Sequence, residues 1–117
     1  MDITEEKRGS ITLLQVQGRI DASTSSRLKT VLLTAIDNGA KQLVVDFSQV
    51  DYISSAGLRV LLVAGKKLKQ QNGKIVFSAL KKNIKEVFDI AGFSSIFPVF
   101  HSQEEALKSF AETASRQ

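Results

Sequence analysis

Two Asn-Gly pairs, Asn38-Gly39 and Asn72-Gly73, constrain the fold of this chain most. Each closes a stretch with helical apolar spacing and precedes a short apolar run. Glycine accepts the left-handed conformation that ends a helix, so each pair reads as a helix stop. The first helix is expected over 25–38, where Leu28, Val31, Leu32, Ala35 and Ile36 make one stripe. The second is expected over 56–71, where Leu58, Leu61, Leu62, Gly65 and Leu68 share a face. The run Leu43-Val44-Val45, within 41–47, fits a central strand buried on both faces. Ile75-Val76-Phe77, within 74–79, is another strand.

The remaining elements fall around this frame. Residues 3–8 are weakly strand-like, and 10–17 form a better strand with Ile11, Leu13, Leu14 and Val16. Gly9 between them implies a hairpin turn, and Gly18 is expected to end the second strand. Residues 19–24 and 48–55 read as loops with helix-cap chemistry at their ends. A third helix, over 83–91, carries Ile84, Val87, Phe88 and Ala91, with Gly92 after it. Residues 96–100 read as a last strand, which Pro98 either confines to an edge or demotes. Ser102 and Glu105 make a capping box for a final helix that buries Leu107 and Phe110. The order is β-β-α-β-α-β-α-β-α. It predicts an α/β fold, a mixed β-sheet of four to five strands packed with about four α-helices, largely parallel after the hairpin. Residues 1–117 read as one domain, with a tail after Ala111 expected to fray.

Composition excludes several function classes. The chain has no cysteine, so it holds no disulfide framework, thiol nucleophile or cysteine-ligated metal. Its one histidine, His101, rules out a multi-histidine metal site. Any Ser-His-Asp triad would have to use it, and its place just before a helix start reads as an exposed turn. Residues 1–9 are polar and mixed in charge, unlike a signal or transit peptide. No apolar run nears the roughly 20 residues that span a bilayer, so a cytoplasmic, soluble domain with no membrane span is expected. The net charge is +4. The lysines cluster at 66, 67 and 69 and at 81, 82 and 85, without a nucleic-acid motif or a stacking aromatic. They read as solvated helix faces, with a weak docking surface for an acidic partner as the other reading. The seven Phe look like core.

In alternating α/β sheets, ligands collect where strands lead into helix N-termini. Two such loops are rich in hydroxyls and acids, one over 21–26 and one over 46–57. In the second, Ser54 and Ser55 lie at a helix start, and one of them is the N-cap, worth about 1 kcal/mol. A phosphate on such a serine would meet free backbone N–H groups and the positive end of the helix dipole. Gly57, two residues on, has no side chain to crowd an approaching partner. Competing readings lack their residues. A phospho-aspartate receiver could use Asp46 but needs paired acids after its first strand, and Asp21 is a lone acid. Neither nucleotide-binding glycine pattern is present. No nucleophile, base and oxyanion set assembles, so no enzyme activity, cofactor or metal is expected.

The stretch from Asp46-Phe47-Ser48 through Tyr52-Ile53-Ser54-Ser55-Ala56-Gly57-Leu58-Arg59-Val60-Leu61 closely resembles the signature of STAS domains, especially of bacterial anti-sigma factor antagonists. Gly18-Arg19-Ile20-Asp21 resembles the family's Gly-x-x-Asp loop, and Gly73-Lys74 and Phe88-Asp89-Ile90-Ala91-Gly92-Phe93 are similar to it as well. The resemblance covers nearly the whole chain. It implies the STAS fold and a partner-switching function. The unphosphorylated protein would bind an anti-sigma factor with serine kinase activity and so free a sigma factor. The kinase would then phosphorylate the serine two residues before the motif glycine, here Ser55, and a PP2C-type serine phosphatase would reverse it. The family often has Asp before that serine and Ser or Thr after it. Here these are Ser54 and Ala56, which leaves Ser54 as the neighbour that could be modified instead. The resemblance also implies a partner surface of Asp21 and Ser23 in the first loop, with Asp46 and Ser48 at the strand end. Ser54, Ala56, Gly57 and Arg59 would complete it around the phosphosite. The alternative within the resemblance is a switch component acting on a kinase or sensor complex outside sigma-factor control.

Overall fold

The computed structural model describes the backbone of residues 1–115 and the side chains of residues 1–111. Gly9, at φ +62°, turns the chain between β1 (Asp2–Arg8) and β2 (Ile11–Ile20), which pair antiparallel with Arg8 opposite Ile11. The chain then alternates: α1 (Ser25–Asp37), β3 (Gln42–Ile53), α2 (Ser55–Gln70), β4 (Lys74–Ser78) and α3 (Lys82–Ile90). A single 3-10 turn, Phe93–Ser95, leads to β5 (Val99–Phe100) and then α4 (Gln103–Ser115). The five strands lie in the order β1-β2-β3-β4-β5, all parallel after the hairpin. The frayed tail expected past Ala111 falls on the last turn of α4, whose backbone is helical, and on residues 116–117, outside the described residues.

Two strands run further than the sequence suggests. Gly18 does not end β2: at φ +104° it sits at a register shift, and pairing resumes beyond it up to Ile20 opposite Ile53. Glycine adopts that φ without the penalty a Cβ would bring. Residues 48–53, expected as loop, are the second half of β3, reached through another register shift between Gln15 and Gln17. β4 stops at Ser78 opposite Asp46, so these last residues of β2 and β3 extend beyond β4 as a two-stranded projection.

Strand alternation sorts side chains onto two faces. One face buries Leu14, Val16, Val45, Phe47 and Phe77 under α1, α2 and α3. There Phe47, Phe77, Phe88, Phe93 and Phe97 meet with ring centroids 5.3 to 6.2 Å apart. The other face buries Leu13, Val44 and Val76 under Ala106 and Phe110 of α4. Ser102 caps that helix, its Oγ accepting from the Glu105 N–H at 3.1 Å.

Some details of the expected stripes shift. On α2 the buried residues are Gly57, Val60, Leu61, Ala64 and Leu68, while Leu62 is turned outward and 41% exposed. Ala91 lies past the end of α3 and is exposed. The last strand is only two residues long because residues 93–97 turn inward to place Phe93 and Phe97 in the core. Pro98 precedes this edge strand, as its missing N–H demands, and its carbonyl accepts from the Phe77 N–H at 3.0 Å. His101 is exposed just after it. Lys67, Lys81 and Lys85 pair with Asp37, Asp51 and Asp89 on the surface.

Candidate functional site

The projecting ends of β2 and β3 set the site. The Ser54 N–H donates to the Ile20 carbonyl at 2.8 Å, so the chain leaves both strands side by side. From Ile20 it enters the loop that starts α1, and from Ile53 it enters α2 directly.

Ser54 is the N-cap of α2: its backbone is extended (φ −89°, ψ 171°) and its Oγ accepts from the Gly57 N–H at 3.1 Å. Ser55 is the first residue of the helix. It is exposed, and its hydroxyl has no hydrogen-bond partner among the described residues. Helix geometry leaves the N–H groups of Ser55 and Ala56 without intrahelical acceptors. Arg59, also exposed, lies four residues on and therefore on the same helix face.

Asp21 organises the neighbouring loop. Its Oδ1 accepts from the Ser23 N–H at 3.0 Å, the Ser23 hydroxyl at 2.7 Å and the Thr24 N–H at 3.2 Å. The Ser23 hydroxyl, foremost, holds the carboxyl below its ordinary pKa; burial opposes this, and the two backbone donors reinforce it. Asp21 is therefore a fixed negative charge beside the start of α2. Sequence reasoning gave no role to Arg19 and Tyr52, which stand opposite each other in the strand register. The Arg19 guanidinium lies 4.4 Å from the Tyr52 ring centroid, with its Nε 3.8 Å from the Asp21 carboxylate. Tyr52 is 41% exposed. The signal was the inward Ile20 and Ile53, whose neighbours must point outward once both are placed in strands.

Two of the expected partner residues, Asp46 and Ser48, lie elsewhere, and a third, Gly57, is at this end but covered. Gly57 is buried: a Cβ there would come within 2.6 Å of Ile20 Cγ2 and 2.9 Å of Ile53 Cγ1. Its missing side chain lets α2 close onto the strand ends rather than clearing space for a partner. Asp46 is not at the end of β3 but inside it, on the side of Val44 and α4. It is buried, and its carboxylate accepts from the Ser48 N–H (3.1 Å), the Ser48 hydroxyl (3.2 Å), the Ser78 hydroxyl (3.4 Å) and Gln103 Nε2 (3.0 Å). Asp46 and Ser48 thus belong to an internal polar cluster under the start of α4. What the structure brings together at one end is Asp21, Ser23, Ser54, Ser55, Ala56 and Arg59. Among the described residues, no group of three or more acids or histidines could hold a metal ion, and no helix is long and apolar enough to cross a membrane.

The same fold recurs in known proteins. The sequence profile of the STAS domain matches residues 2–106. BtrV of Bordetella bronchiseptica, a candidate anti-sigma factor antagonist, is 39% identical over 99% of this chain and 100% of its own length. The anti-sigma-B factor antagonist of Listeria monocytogenes is 31% identical over 77% of this chain and 79% of its own. The Bacillus cell fate determinant SpoIIAA in its phosphorylated form superposes with a TM-score of 0.75 at 18% identity, over 93% of this chain and 99% of that one.

Proposed function

This chain belongs to the STAS domain family, and from that premise we propose that it is an anti-sigma factor antagonist switched by phosphorylation of Ser55. Unphosphorylated, it binds an anti-sigma factor with serine kinase activity through the end formed by Asp21, Ser23, Ser54, Ser55, Ala56 and Arg59. The sigma factor is thereby freed. Transfer of a phosphoryl group to Ser55 ends the association, and a PP2C-type phosphatase restores it. The antagonist itself catalyses nothing.

The observation that carries this reading is the division of labour between the two serines. Ser54 Oγ is held by the Gly57 N–H, whereas the Ser55 hydroxyl is exposed and unpartnered among the described residues. A kinase can reach Ser55 without unravelling the cap. The phosphate would add about −1.5 to −2 charges beside the fixed charge of Asp21. A hundredfold loss of affinity needs only about 2.7 kcal/mol, which repulsion and desolvation inside a contact surface can supply without refolding. Asp46 takes no part in that repulsion, being on the other side of the sheet.

The test pairs phosphosite mapping of the native protein with binding to its cognate anti-sigma kinase. One phosphoryl group on Ser55 is expected, with Ser55→Ala resisting modification and Ser55→Asp binding at least about tenfold more weakly. Modification of Ser54 instead, or wild-type affinity in Ser55→Asp, would sink the mechanism. A cognate kinase that holds no sigma factor would move the switch outside sigma control.

A further inference from the structure

Further along α2, its outer face forms one wall of an open groove of about 750 Å³. The apolar lining includes Leu62, Val63, Ile96 and Phe97. Three of these side chains remain at the surface, Leu62 at 41%, Val63 at 40% and Ile96 at 58% exposure. The floor is built into the core: Phe97 lies so close to Gly65 that a Cβ there would sit 2.5 Å from the ring. The charged residues of the lining are Lys66, Lys69 and Lys74, and no carboxylate lines the groove. Unlike Lys67, none of these three has an ion-pair partner among the described residues.

We propose that this groove binds an acidic amphipathic helix of a protein partner. An apolar ridge of such a helix fills a trough of this kind. Lys66 and Lys69 are three residues apart, so they can meet acids spaced one turn apart along the flank of the ridge. An exposed apolar surface with single-sign charge around it marks an interaction site, not a solvated face. The occupant is not a second copy of this chain. Among the described residues, the helices that carry more than one acid, α3 and α4, turn Ile84 and Phe88, and Ala106 and Phe110, into their own core. A bilayer surface also fits poorly, because the apolar residues line a recess. The groove starts at Leu62, seven residues after Ser55, or roughly 10 Å along the helix axis. Ser55 and its cap are not part of the lining, so a charge placed on Ser55 leaves the groove's own contacts in place.

The experiment is an NMR titration of the isotope-labelled full chain with a 14-residue helix-forming peptide. Its leucines follow helical spacing, with glutamates on both flanks. A counterpart carries lysines in place of the glutamates, and phosphatidylglycerol vesicles are titrated separately. The acidic peptide is expected to shift Leu62, Val63, Lys66, Lys69 and Ile96, with an affinity that falls as salt rises. Lys66→Glu combined with Lys69→Glu, both exposed and remote from the core, should weaken it at least about tenfold, and Ser55→Asp should leave it unchanged. Equal binding of the lysine peptide overturns the proposal, as does the absence of shifts at millimolar acidic peptide. Shifts at these residues with vesicles alone would assign the groove to a membrane surface. The same shifts on concentrating the chain alone would assign it to self-association.

Discussion

Ser54 holds the N–H of Gly57 at 3.1 Å while Ser55, one peptide further, holds nothing among the described residues. Truncating the two should therefore have different consequences. Ser54→Ala removes a cap and should cost about 1 kcal/mol, whereas Ser55→Ala, on an exposed position, should stay within about 0.5 kcal/mol of wild type. Urea midpoints of the two variants check this, and equal losses would contradict the capping geometry. Gly57→Ala should cost more, about 1–3 kcal/mol, because its Cβ would meet two β-branched side chains that end β2 and β3. Asp21 carries a pH dependence. Its folded pKa is lowered, mainly by the Ser23 hydroxyl, so the stability it contributes is present above the unfolded value. That stability is lost as pH falls through the lower folded value, which places the loss below about pH 4. Asp21→Asn should flatten the stability–pH curve of wild type in that acid range, as read from chemical denaturation at each pH. An unchanged acid slope would show that the loop bonds do not favour the ionised form.

Elements were legible from the sequence where apolar periodicity was clean and turn chemistry marked the ends. The helices α1, α2 and α4 and the strands β3 and β4 all announce themselves this way. The second half of β3 did not, because residues 48–52 carry Ser48, Gln49, Asp51 and Tyr52, with only Val50 buried among them. A bulge there also breaks the period of two. For the same reason Asp46 was misplaced. Its face depends on counting alternation from Phe47, and its partner Gln103 comes from 57 residues away. The helix start at Ser54 and Ser55 was legible because cap residues and the onset of apolar periodicity coincide in one short stretch. The Asp46 cluster makes a prediction of its own: it is the polar peg on which α4 docks. Asp46→Ala should cost about 2–3 kcal/mol, since it leaves Gln103, Ser78 and the Ser48 N–H without their acceptor. Amide exchange should then show α4 opening more readily than α2. A uniform loss across both helices, or none, would remove the docking role.

On the scale of the whole molecule, the Ser55 end is anchored to the core through Ile20, Val50 and Ile53, while Ser55 itself stays on the outside. The N-cap, the Asp21 loop and the first turn of α2 sit at the ends of two strands that project past β4, while most of the core lies beneath α1, α2 and α3. Ser55 points away from that core, so charging it leaves every buried contact in place. A helix N-terminus also tolerates negative charge, through its free N–H groups and dipole. Phosphorylation should therefore change binding and not folding. Ser55→Asp should keep its unfolding free energy within about 0.5 kcal/mol of wild type, and its amide shifts should be confined to residues 21–24 and 54–59. The same variant should lose the anti-sigma partner. If the shifts spread across β4 and α3, the phosphate would be acting by rearranging the sheet, and the partner would be reading a change of shape. If they stay at the projecting end, the partner is reading the charge itself.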